Sequence, residues 1–145
     1  MLNFIYVLVT GIIVTGINLS ALFTASKPSE LQTIASAIFL VFWLLFAMYK
    51  GLERERGFLK FTTLFWGIGL LLSFVGTIGF FRAIAVASVF IFTGPSYGMF
   101  YYVTDGIGGT SYILWAIFVP LLIGIVGYFA GTRIGKVEVM EAKGK

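Results

Sequence analysis

Five apolar stretches follow one another along this chain, separated only by short polar turns. Each is about twenty residues long, the length that a helix needs to cross the ~30 Å hydrocarbon core of a bilayer. They cover residues 2–25, 31–49, 61–81, 83–103 and 112–132, and a polar, basic tail follows over 133–145. The pattern predicts an all-α integral membrane protein, a single transmembrane domain over residues 1–145. Charge supports it: only 11% of the residues are charged, against about 25% in a soluble domain. That is too few to cover a surface facing water.

The first block reads as a retained helix. No Lys or Arg precedes it, and it is long enough to span, whereas a signal peptide has a basic start and a shorter apolar run. In "SKPSE", Pro28 disfavours helix at the residue before it. Ser29 is placed to cap the second helix, with Gln32 three residues on as its capping-box partner.

The fourth block is the ambiguous one. Its 21 residues are long enough to span, but only eleven residues, "AIAVASVFIFT", precede Gly94-Pro95. Pro95 lacks an N–H, and the aromatic run "SYGMFYYV" after it is only moderately apolar. Cytoplasmic loops of membrane proteins carry an excess of Lys and Arg. With four crossings, eight cations share one side (Lys50, Arg54, Arg56, Lys60, Arg133, Lys136, Lys143, Lys145) and two, Lys27 and Arg82, lie on the other. With five crossings the better division is six to four. The expectation is therefore a compact bundle of four transmembrane helices with a re-entrant or broken segment at 83–103; five helices are the alternative. Tyr97, Tyr101, Tyr102 and Tyr112 would then lie near the outer interface.

Small residues recur at helical spacing. Gly124, Gly127, Gly131 and Gly135 form the sharpest stripe, Gly16 and Ser20 a weaker one, and Gly69 and Ser73 a third. Such stripes let helix backbones approach closely, within one bundle or between chains. Asn18 is the one amide well inside a spanning block, suited to bonding across helices.

Chemistry is harder to find. The chain has no Cys and no His, which removes disulfides, iron–sulfur clusters, ordinary haem ligation and typical zinc sites. No cofactor and no metal are expected. All six acidic residues fall in loops or the tail. Arg82 sits at a block end, where its side chain can reach headgroups; paired with Asp105 it would bracket the broken segment and close an outer vestibule. "GPSYG" around Pro95 and Tyr97, and "DGIGG", read as turns rather than backbone-lined filters. The net charge of +4 points to lipid headgroups, not to nucleic acid.

The expected role is a non-catalytic subunit or assembly protein that packs through small-residue faces, in a homo-oligomer or a larger membrane complex. A small channel or transporter component using residues 94–109, with a small solute as ligand, is the alternative. An intramembrane enzyme is a third. The expected location is the plasma (inner) membrane of a prokaryote, multi-pass, with the C-terminal tail cytoplasmic.

Overall fold

A computed structural model describes residues 2–77, 86–104 and 111–143. Apart from two short turns these residues are helical, with no strand among them. Helix α1 is Leu2–Thr24, α2 Glu30–Leu52 and α3 Arg56–Thr77. A segment of uneven pitch follows: a π turn over Val89–Thr93, a 3-10 turn over Gly94–Ser96 and the short helix α4, Tyr97–Thr104. Helix α5, Ser111–Lys143, closes the described chain. Four of these helices are long and apolar enough to cross a membrane, through Ile5–Thr24, Glu30–Leu52, Arg56–Val75 and Ile113–Lys136. The protein is thus a multi-pass helical bundle with a broken fourth segment.

Two turns reverse the chain, between α1 and α2 and between α2 and α3. Helix α1 ends with Ala25 at a positive φ of 47°. There the Ser26 N–H reaches the Ala21 carbonyl and the Ala25 N–H that of Leu22, a Schellman ending. Ser29 then caps α2: its hydroxyl accepts from the Gln32 N–H while the Gln32 side chain accepts from the Ser29 N–H. The spacing that predicted this box is realised. Helix α2 ends in a second Schellman turn, with Arg54 at φ 53°, Arg54 N–H on Gly51 and Glu55 N–H on Lys50.

Three helices outrun their apolar blocks, α2 by a few residues to Leu52. Helix α3 begins at Arg56, not Phe61, because Phe58 is fully buried while Arg56 and Lys60 face outward. Helix α5 continues through the polar tail to Lys143.

Helices α2 and α5 run side by side in one direction. Gly124 lies against Trp43, Gly127 against Leu44 and Gly131 against Met48. The core around this contact is aromatic: Trp43 and Phe58 have ring centres 5.7 Å apart, and Phe58 stacks on Tyr128 at 6.0 Å. Trp66 and Phe92 extend the cluster to α3 and the π turn.

Candidate functional site

The broken segment is the feature that an ordinary four-helix bundle lacks. Residues 92–98 are all buried. Proline removes one N–H and pushes on the carbonyl four residues back. The chain stays right-handed all the same: Thr93, Gly94 and Tyr97 keep helical dihedral angles. The turn first widens, with the Gly94 N–H reaching back to Val89, and then tightens, with the Tyr97 N–H on Gly94. The segment is broken in pitch around Pro95, as expected from its missing N–H, and the extra residue of the π turn makes room for the ring.

Side chains from α1 and α2 hold the segment by its backbone. Asn18, fully buried, donates from Nδ2 to the Gly94 carbonyl (2.7 Å) and to Ser36 Oγ (2.9 Å). Ser36 Oγ also accepts the Gly98 N–H at 3.1 Å. The Thr15 hydroxyl donates to the Phe90 carbonyl at 3.1 Å. Two glycines permit these approaches: a methyl at Gly98 would collide with the Gln32 carbonyl, and one at Gly94 would lie 2.5 Å from Thr15 Oγ1. On the other flank Ser88 and Ser73 share a hydrogen bond of 2.8 Å, and Phe92 fills the notch at Gly69.

Helix α5 contributes through its own proline. Pro120 lies inside α5 and cannot donate to Ala116. The Ser96 hydroxyl takes that carbonyl at 2.9 Å. Trp43 Nε1 donates to the Pro120 carbonyl at 2.8 Å.

The hydrogen bonds that tie the segment to the helices land on one half of the bundle. The partners are Thr15 and Asn18 on α1, Ser36 on α2, Gly69 and Ser73 on α3 and Ala116 on α5. All lie toward the α1–α2 turn. The Tyr97 and Tyr102 hydroxyls donate into that turn itself, to Ser26 and Pro28. Tyr97 is buried, while Tyr102 is exposed.

The small-residue stripes divide in use. Gly124, Gly127 and Gly131 abut α2, and a methyl at Gly131 would collide with the Met48 carbonyl. Gly135 is looser, with Leu52 at 3.6 Å. Gly16 meets nothing within 4 Å, while Ser20 accepts from Gln32 Nε2. Arg82 and Asp105 lie outside the described residues, so their pairing has no structural counterpart here. Sequence reasoning missed Thr15, Ser36, Ser96 and Gly51. Ser36 follows Gln32 by one turn in an otherwise apolar block, and that was the available signal.

Four buried polar atoms have no hydrogen-bond partner among the described residues: Asn18 Oδ1, Thr93 Oγ1, Thr62 Oγ1 and Trp66 Nε1. No known protein family, curated protein or solved structure matches this chain.

Proposed function

We propose that this protein is a non-catalytic membrane subunit, which works by packing with other membrane components. The observation that carries this reading is the way Asn18, Thr15, Ser36 and Ser96 tie the broken segment into the bundle. Irregular backbone at membrane depth survives where it is buried in protein or lines water. Here its carbonyls are held by neighbouring side chains, which favours a structural segment over a conducting one. The segment enters and leaves the bilayer from the α1–α2 side, as a re-entrant element. The opposite end gathers Lys50, Arg54, Arg56, Lys60, Arg133 and Lys136, and on the positive-inside rule it is cytoplasmic. The membrane is the inner membrane of a prokaryote.

A second reading, passage of a small solute, rests on the unpartnered Asn18 Oδ1 and Thr93 Oγ1 beside the break. Thiol labelling separates the two. The native chain has no Cys, so single probes report cleanly. With an impermeant reagent, Lys27→Cys labels in intact cells, Gly57→Cys only after lysis, and Thr93→Cys in neither case. Labelling at Thr93→Cys would favour the solute path. Detergent-free extraction into polymer nanodiscs tests the packing role itself: the particles should contain more than one 15.9 kDa chain.

A further inference from the structure

A cavity of about 280 Å³ separates the middle of α1 from α3. Phe39 of α2 backs it, Phe65 and Trp66 of α3 form one wall, and Phe90 and Pro95 of the broken segment form its roof. On α1 the wall runs from Val7 to Leu19 and includes Gly11 and Gly16. We propose that this bay is a binding site for one acyl chain of a bilayer lipid.

Depth, lining and opening all point to that occupant. Residues 7–19 are the central part of α1, and Trp66 is at the middle of α3, so the bay lies at hydrocarbon depth when these helices span. Its wall is apolar apart from Thr15 and the Trp66 indole edge, and the Thr15 hydroxyl is already donated to Phe90. A water molecule needs two to four polar partners, and the bay does not offer them. The rim residues Ile12 and Ile91 are exposed and apolar, so the medium at the opening is lipid tail. The volume is roughly twice the ~150 Å³ of an apolar cavity known to take up benzene, which suits part of a flexible chain. An empty bay would forfeit dispersion contacts along its whole lining. The bay is unfilled beside Gly16, where no atom comes within 4 Å of where a side chain would begin. This inference is independent of the packing role above.

The test uses Trp66, in the wall of the bay, as a reporter, in phosphatidylcholine vesicles whose acyl chains are dibrominated and quench tryptophan at short range. Trp43→Phe with Trp115→Phe leaves Trp66 as the sole tryptophan. Trp66 is 1% exposed in the bare chain. The proposal expects it to lose most of its emission, as exposed Trp115 does in the matching single-tryptophan variant. Gly16→Phe fills the bay and restores the emission. Gly67→Phe, which enters open space on another face of α3, leaves the quenching in place. If removing Trp43 prevents folding, the difference between Trp115→Phe and the Trp66→Phe/Trp115→Phe pair gives the same reading. Equal emission in brominated and plain vesicles would overturn the proposal, as would a side chain from a second copy in the bay, which also leaves Trp66 unquenched. Quenching that survives Gly16→Phe, or that Gly67→Phe relieves equally, would overturn it too.

Discussion

The Ser96 hydroxyl donates to the Ala116 carbonyl, the very acceptor that Pro120 leaves without its helical N–H. Two prolines, Pro95 in the broken segment and Pro120 in α5, are thus reconciled by one serine. A buried acceptor left without a donor costs about 1–3 kcal/mol. Ser96→Ala should destabilise the bundle by about that much, read as a lower midpoint in SDS unfolding. Pro120→Ala returns an N–H to Ala116. In that background Ser96→Ala should cost little, and a double-mutant cycle measures the difference. Equal costs in both backgrounds would show that the serine acts elsewhere.

Much of the architecture was legible in the sequence because its signals are local. Apolar block length marked the four spanning helices together with the fourth block, which charge and proline chemistry set apart, and Ser29 with Gln32 marked a helix start. The break at Gly94-Pro95 was legible as well, since proline chemistry acts on adjacent residues. The site was not, since its partners are distant in sequence. Asn18 stood out, but nothing in the chain says that its amide meets Gly94 and Ser36. Phe58 lies among charges, and burial against Trp43 and Tyr128 emerges only when three helices meet.

Glycines on the α2–α5 seam should be the least replaceable in the chain. A methyl at Gly131 collides with the Met48 carbonyl, and one at Gly51 with the Tyr128 carbonyl. Both obstacles are backbone, so neither can swing aside. Gly131→Ala should destabilise by about 1–3 kcal/mol, the usual cost of overpacking. Gly16→Ala enters open space and should be neutral or slightly stabilising. Thermal unfolding in one detergent, followed by circular dichroism, compares the two. Equal tolerance would mean that α2 and α5 are not in contact there.

At the end of α2, Glu53 is held below the usual carboxylate range by a hydrogen bond with the Tyr49 hydroxyl and by the Lys50 ammonium. Lys50 is 2.9 Å from both Glu53 and Glu55. A depressed carboxylate adds stability above its unfolded pKa of about 4.3, and the gain fades as pH falls through the lower folded value. Glu53 is exposed, so the effect is small and salt-sensitive. Melting temperatures of the native chain and Glu53→Gln should differ at neutral pH and converge below that range. A gap that persists in strong acid would assign the effect to packing.

Both Schellman turns place a residue with a side chain in the left-handed region, Ala25 at φ 47° and Arg54 at φ 53°. That conformation costs an L-residue roughly 1–2 kcal/mol, while glycine adopts it freely. Glycine gives back part of the difference, because the unfolded chain gains freedom. Arg54→Gly and Ala25→Gly should therefore each stabilise the bundle, by about 0.5–1 kcal/mol. The two turns are at opposite ends of α2, so the gains should add. Arg54→Ala supplies the control: it removes the charge, keeps the strained conformation and leaves stability near the native value. If Arg54→Ala matched Arg54→Gly, relief would come from the lost charge beside Lys50, not from the backbone. SDS unfolding midpoints for the three single variants and the double glycine variant decide between these accounts.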